Sequence, residues 1–261
     1  MKNTRFVLVP TQEKLFCAFL TLGFPDISTT EYFIEEFEKK GVDIIELGFP
    51  FSDPMADGPT IQYSSEKAIE QGVKIQDAFG VVSRLRKKGV KVPIVFFTYL
   101  NPIFHYGLKR FAKDAKKAGF DAVLVPDLPP DEEKEFSRDC QKLGIAQIFL
   151  VAPTSNDERQ KLISQRSNGF IYYVSLRGVT GARKALPEDI RGPIAKLKKK
   201  TKKPVLIGFG VSTPEQARAL SAISDGVIVG SAIVDAIKKS KGNRQNVVSF
   251  VEEMVRATKK A

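Results

Sequence analysis

Short, continuously apolar runs return along this chain about every 25 to 35 residues, each followed by a segment patterned as a helix. That alternation constrains the fold more than any other feature, because a repeating strand–helix unit closes into few architectures. Strands are expected near 16–22, 43–47, 94–98, 122–125, 146–150, 171–174, 205–207 and 226–229. Few of these runs alternate polar with apolar residues, so they read as parallel strands covered on both faces. Helices are expected at 29–40, 60–71 with 75–88, 101–118, 131–142, 156–165, 187–200, 214–220 and 231–239, and a last one near 245–259. Eight such units predict an α/β fold of the (β/α)8 TIM-barrel type, with its site at the C-terminal ends of the strands. A doubly wound open sheet is the alternative, and it usually has fewer strands. The 261 residues match the roughly 250 of a single barrel, and no linker or low-complexity segment divides them. One domain over residues 1–261 is therefore expected.

Chemistry concentrates at the predicted strand ends. The second apolar run, 42–47, contains a carboxylate, Glu46. An acid there is costly to ionise unless something uses it, the other reading being a satisfied strand-end ion pair. A loop rich in Gly and Pro follows and carries Asp53 and Asp57, and Thr60 is placed to cap the next helix. Asp57 beside Gly58 is also ordinary turn chemistry. After the seventh strand come Gly208, Phe209 and Gly210, and after the eighth Gly230 and Ser231 open a helix. Glycine turns let backbone N–H groups approach an anion, and a helix N-terminus adds positive partial charge, so a phosphate site is expected there unless these are only tight turns. After the sixth strand, residues 175–183 include Gly178 and Gly181, consistent with a lid or with a surface loop that has no task. Of Tyr172 and Tyr173 in the sixth strand, only one can face the barrel interior. Phe19, Phe97, Tyr99, Leu124, Asp127 and Phe209, at other strand ends, could wall an apolar slot for a flat ring, or be ordinary core.

Charge and cysteine content narrow the classes further. The net charge of +11, from 41 basic and 30 acidic residues, invites a nucleic-acid reading, but the basic clusters stand before glycines or strands: Lys39-Lys40-Gly41, Lys87-Lys88-Gly89, Lys116-Lys117-Ala118-Gly119 and Lys198-Lys199-Lys200. Those are helix C-termini, where cations meet the negative dipole end and glycine caps in the left-handed conformation. In a barrel they fall on the face opposite the site, so no nucleic-acid function is expected. Cys17 and Cys140 make no disulfide framework, and with His105 the single histidine no metal site is expected. His105 would also have to carry any Ser-His-Asp chemistry, and no Gly-x-Ser-x-Gly elbow supports that. No apolar run approaches a membrane span, and the apolar core of the first eleven residues is too short for a secretory signal, so a cytoplasmic protein is expected.

The run Glu46-Leu47-Gly48-Phe49-Pro50-Phe51-Ser52-Asp53-Pro54, with Ala56-Asp57-Gly58-Pro59, closely resembles the signature of the tryptophan synthase alpha subunit family. The similarity extends from Leu20-Thr21-Leu22-Gly23 to Gly230-Ser231-Ala232. It departs at the N-terminus, where the family has a fuller helix and this chain has Pro10, and in the lid, where Leu176 and Arg177 match no family residue. The resemblance implies a retro-aldol cleavage of indole-3-glycerol phosphate to indole and glyceraldehyde 3-phosphate, with no cofactor. It implies Glu46 as acid and base, Asp57 on the indole N–H, and Tyr172 assisting Glu46. It implies phosphate on Gly181, Gly210, Gly230 and Ser231, and a lid in which Thr180 contacts Asp57. It also implies docking, at the catalytic mouth, of the pyridoxal-phosphate-bearing beta subunit, in an alpha2beta2 complex. A stand-alone indole-releasing lyase shares the same residues. Another phosphate-binding barrel would share the glycine cup without the Glu46–Asp57 pair, and a silent scaffold binding nucleic acid would keep only the charge.

Overall fold

The computed structural model describes Phe6 and residues 13–132, 134–174, 190–208 and 210–261. Eight parallel strands close on themselves in sequence order. They are β1 (Leu15–Thr21), β2 (Ile44–Gly48), β3 (Ile94–Phe97), β4 (Ala122–Leu124), β5 (Ala146–Val151), β6 (Ile171–Tyr173), β7 (Val205–Ile207) and β8 (Gly226–Val229). The helices are α1 (Ile27–Lys39), α2 (Pro59–Glu70), α3 (Ile75–Lys87), α4 (Leu100–Tyr106), α5 (Leu108–Ala118), α6 (Lys134–Leu143), α7 (Asp157–Arg166), α8 (Arg191–Lys200), α9 (Pro214–Ser221), α10 (Ser231–Lys239) and α11 (Arg244–Lys259). The barrel expected from the alternation is the fold.

Two local expectations are corrected. The single helix expected over 101–118 is two, because Gly107 adopts φ +96°, which a continuing right-handed helix cannot accommodate. Thr60 does not cap α2; Gly58 holds the N-cap position and Pro59 stands at the first helical position, where its fixed φ suits the turn and its missing N–H costs nothing. The lysine clusters behave as their glycines suggested: Gly41, Gly89 and Gly119 take φ of +83°, +92° and +103°.

Strand parity divides the core in two. Leu15 and Cys17 of β1, Ile44 of β2, Val95 of β3, Leu124 of β4, Ile148 of β5, Leu206 of β7 and Ile228 of β8 pack inside the barrel. The alternate residues, such as Phe16, Ile45, Phe96 and Tyr173, pack outward against the helices. Phe6 is buried against Phe170 at the N-terminal end of the barrel, with ring centroids 6.4 Å apart, and a side chain on Gly169 would occupy the space of its ring.

A repeated clamp fastens that same end. Asp43, Asp121 and Asp225 each stand one residue ahead of a strand. Each donates its backbone N–H to the preceding strand, at Phe16, Ile94 and Val205 respectively, over 3.0, 3.0 and 2.9 Å. Each carboxylate accepts the N–H of that same residue in return, over 2.8, 2.9 and 2.9 Å. A cation completes each clamp: Lys259 on Asp43, Arg86 on Asp121 and Lys198 on Asp225. Only Asp121 is fully buried, and its partner Arg86 also donates to the carbonyls of Gly119, Val90 and Val92. Asp121→Ala leaves that guanidinium its carbonyl acceptors but removes the carboxylate that balances its charge, and should cost ~3–5 kcal/mol, as breaking a buried ion pair does. Urea denaturation reads it, and Asp43→Ala, at a more exposed clamp, should cost clearly less. Equal losses at the two would show that burial does not set the strength of the clamp.

Candidate active site

The C-terminal ends of the strands surround a cavity of about 820 Å³, counting its open mouth. Residues from all parts of the chain meet in it: Phe19 of β1, Glu46 of β2, Asp57 and Ile61 at the start of α2, Phe97 of β3, Leu150 of β5, Tyr172 of β6, and the glycines after β7 and β8. Parallel pairing sets Phe19 opposite Glu46, and Glu46 opposite Val95, so these side chains share the inner wall.

Glu46 lies inside β2 rather than at its end, and it is 1% exposed. Its Oε1 is buried without a hydrogen-bond partner among the described residues. An ion pair, the alternative reading of this acid, is absent among the described residues. Burial without a compensating cation lifts the carboxyl from its ordinary 4.5 to about 8. At neutral pH the group therefore holds a proton that it can donate. Its negative form, in turn, helps hold the Tyr172 phenol well above its ordinary range, after burial itself.

Asp57 lies across the cavity on the loop ahead of α2. Burial raises its carboxyl to about 6, against the opposing effect of a hydrogen bond from the Tyr99 hydroxyl. It is thus mostly ionised at pH 7, whereas Glu46 is not. The loop is secured at several points: the Tyr99 hydroxyl accepts the Ala56 N–H at 2.9 Å, the Asp57 N–H reaches the Pro54 carbonyl at 3.0 Å, and Gln62 donates to the Asp57 carbonyl at 2.8 Å. Two carboxyls with separated proton affinities face one apolar cavity, an arrangement suited to acid–base work beside a positive charge.

The apolar walls depend on two missing side chains. A Cβ on Gly208 would fall 2.3–2.4 Å from the Tyr172 ring and hydroxyl, and one on Gly48 would fall 2.5 Å from the Phe19 ring. Gly208 was expected to serve an anion; here it makes room for Tyr172. Phe19 meets Phe97 edge to face, with centroids 5.5 Å apart. The far end of the cavity holds Gly210, Gly230 and Ser231. No side chain caps α10 and no acid stands in its first turn, so its N-terminal N–H groups and dipole face the cavity unneutralised. Gly210, at φ +69°, has open space where a Cβ would be.

Of the residues singled out in the sequence, Glu46, Asp57, Tyr172, Phe19, Phe97, Gly210, Gly230 and Ser231 converge on this cavity. Tyr99, Leu124 and Asp127 do not line it. Tyr99 is buried and holds the Asp57 loop. Leu124 packs deeper in the barrel interior, and Asp127 accepts the Leu100 N–H at the start of α4 at 2.8 Å. Thr180, Gly181 and Phe209, with the rest of the loop after β6, lie outside the described residues. Sequence reading passed over Ile61, Leu150 and Val174, which also line the cavity. Leu150 was accessible from strand parity, two residues after the inward Ile148, whereas Ile61 depends on how α2 leans over the mouth.

Comparison with known proteins gives one consistent result. The family model described as "Tryptophan synthase alpha chain" matches residues 8–261. The tryptophan synthase alpha chain of Geotalea daltonii is 46% identical over 240 residues, covering 92% of this chain and 90% of that one. That of a Thermoanaerobacter species is 46% identical over 251 residues, covering 95% of each. Among solved structures, tryptophan synthase subunit alpha from Legionella pneumophila superposes with a TM-score of 0.88 at 36% identity, covering 95% of this chain and 94% of that one. A chain of Mycobacterium tuberculosis tryptophan synthase superposes with a TM-score of 0.87 at 34% identity, covering 95% and 93%.

Proposed function

This chain belongs to the tryptophan synthase alpha chain family, and from that membership we propose that Glu46, Asp57 and Tyr172 carry the family's reaction in it. The enzyme is a lyase that cleaves indole-3-glycerol phosphate to indole and glyceraldehyde 3-phosphate, a retro-aldol step of tryptophan biosynthesis. Its macromolecular partner is the tryptophan synthase beta subunit.

Cleavage needs a proton delivered to C3 of the indole, so that the ring accepts the bonding electrons. It also needs a proton taken from the glycerol hydroxyl beside the breaking bond. Glu46 supplies and then accepts these protons. Asp57, ionised, accepts the indole N–H and stabilises the positive charge that grows on the ring. Tyr172 stays neutral and positions Glu46. Phe19, Phe97 and Leu150 hold the flat ring, and Gly210, Gly230 and Ser231 hold the phosphate at the N-terminus of α10. Thr180, Gly181 and Phe209 complete the lid and cup in this reading, and Tyr99 serves it by fixing the Asp57 loop. The chain works as one domain over residues 1–261 and in the cytoplasm; among the described residues no helix is long and apolar enough to cross a membrane. The observation that carries the reading is the buried carboxyl of Glu46, its Oε1 without a partner among the described residues, protonated up to about pH 8 and facing an ionised Asp57. Incubating the purified chain with indole-3-glycerol phosphate and assaying indole tests it directly.

The phosphate end allows a sharper test. Gly210→Asp meets no atom within 4 Å at its Cβ, so its effect would come through charge and its left-handed backbone. In Gly230→Asp the Cβ comes 3.4 Å from that of Phe19, which adds crowding. Both should raise KM by ~10-fold or more, because a carboxylate then faces the phosphate. Unchanged KM in both would place the cup elsewhere.

The mouth has features of a docking surface. Met55, two residues from Asp57, is 85% exposed, and Phe104 on α4 is 63% exposed. Asp53-Pro54, Asn101-Pro102 and the segment 127–130 belong to the same rim. Covering these groups with the beta subunit would order the Asp57 loop, and an alpha2beta2 heterotetramer follows. Adding a cognate beta subunit should raise kcat by ~10-fold or more, roughly 1–3 kcal/mol of coupling. Titration of beta subunit against indole release measures it, and a chain fully active alone would be a stand-alone lyase.

A further inference from the structure

A second cavity, of about 810 Å³ with its mouth, opens between α1, α2 and the turn joining α10 to α11, and shares no lining residue with the first. Its floor is apolar: Phe24, Phe33 and Ile237 are buried, and Phe24 meets Tyr63 edge to face at 6.0 Å. Its rim is basic. Lys238, Lys241 and Arg244 line it, and Asp26 is the one acid on it. That acid is already engaged, because its carboxylate accepts the Thr29 N–H at 2.8 Å, the Thr29 hydroxyl at 2.6 Å and the Ser28 hydroxyl at 2.6 Å. Arg244 donates to the same Thr29 hydroxyl at 2.7 Å, through which it is joined to Asp26, whose carboxyl its charge helps hold below the ordinary range, and it stacks 5.2 Å from the Tyr32 ring centroid. Lys238 sits 3.7 Å over the Tyr63 ring, and neither it nor Lys241 pairs with an acid among the described residues.

The backbone there is unusual as well. Lys241 has φ +48°, the one non-glycine residue in the left-handed region among those described, and Gly242 follows at φ +90°. Their two N–H groups donate to no backbone acceptor among the described residues. Ser240 in the right-handed region followed by Lys241 in the left-handed one is the arrangement that turns successive N–H groups toward one point, where an anion can sit. The N-terminus of α11, capped by the neutral Asn243, opens onto this cavity beside the C-terminus of α10, whereas the N-terminus of α1 is already offset by its Asp26 cap.

We propose that this cavity binds a small organic anion, its carboxylate or phosphate head on Lys238, Lys241 and Arg244 and its apolar body on Phe24, Tyr63 and Ile237. The apolar floor distinguishes this ligand class from inorganic ions, and the surplus of cations excludes a neutral or basic ligand. The site stands independently of the cleavage reading, because its test measures binding and not turnover.

The experiment is a titration of the whole chain with benzoate, followed in 1H–15N spectra at constant ionic strength, with inorganic phosphate as a second probe. Shifts at residues 238–244 should saturate with benzoate. The double variant Lys238→Ala/Lys241→Ala should weaken that saturation by ~10-fold or more, as removal of two charge-assisted contacts does. The Lys238→Arg/Lys241→Arg variant should retain it, which separates charge from any change in fold. Benzoate shifts confined to the first cavity, or equal saturation in the alanine variant, would overturn the site. Inorganic phosphate binding as tightly as benzoate would overturn the apolar part of the assignment.

Discussion

Glu46→Gln is expected to lower kcat by at least ~10²-fold, the effect of removing a general acid–base group, while KM changes little. Glutamine keeps the size of the side chain and removes the titrating proton. The same substitution should change stability in a pH-dependent direction that can be worked out. The folded carboxyl ionises near 8, against an ordinary 4.5. Below the ordinary value both folded and unfolded chains hold the proton, and the parent has no ionisation penalty. As pH rises from there toward 8, the unfolded chain gives up a proton that the folded chain retains, so the parent loses stability, by up to ~1.4 kcal/mol per pH unit. The variant lacks this loss. Its stability relative to the parent should therefore climb between about pH 5 and 8 and level off above that. Activity falling while relative stability rises with pH would mark a residue held in place at the expense of the fold. Denaturant titrations at several pH values, paired with indole assays, read both, and near-parental turnover in the variant would demote Glu46 to a structural part.

Asp57→Asn should cost ~10²–10³-fold in kcat, the range found when one group stabilising transition-state charge is removed. The amide keeps the shape of the carboxyl and can still bond to the Tyr99 hydroxyl, so the loop should stay in place. What disappears is the negative charge beside the indole nitrogen. The pH profile separates the two acids. In the parent, kcat/KM should fall on the acid side as Asp57 protonates near 6, and on the alkaline side as Glu46 loses its proton near 8. In Asp57→Asn the acid limb should vanish and the alkaline limb remain. Loss of stability with activity intact would make Asp57 a turn residue and nothing more.

The barrel and much of its site are legible in the residues before any coordinates. Continuous apolar runs at regular spacing leave little but a closed parallel sheet, because each strand must be covered on both faces. Its C-terminal ends then collect the chemistry, so Glu46 and the glycines after the seventh and eighth strands stand out by position alone. The motif around Glu46 and Asp57 added the reaction and the family, which the comparisons bear out. Other features were settled by distances between segments far apart in the chain. Parity requires Tyr172 and Tyr173 to face opposite ways without saying which is inside; the resemblance pointed to Tyr172, and the strand packing puts it in the interior. Gly208 looks like an anion-binding turn until the Tyr172 ring is seen in the space of its absent side chain. Tyr99 and Asp127 stand at strand ends like true wall residues, yet one secures a loop and the other a helix start.

The amino-acid sequence by itself determined the order of elements, their periodicity and the types of residue at each strand end, because these follow from local patterning and loop chemistry. Tertiary structure alone decided which side chains share the cavity and how far burial moves the Glu46 and Asp57 protons. Desolvation depends on everything packed around a group, and the neighbours of Glu46 come from strands and loops throughout the chain. The clamps of Asp43, Asp121 and Asp225 show the same division: Asp121 and Asp225 stand one residue ahead of their expected strands and Asp43 at the first residue of its own, but only packing shows that Asp121 is the one buried with its cation.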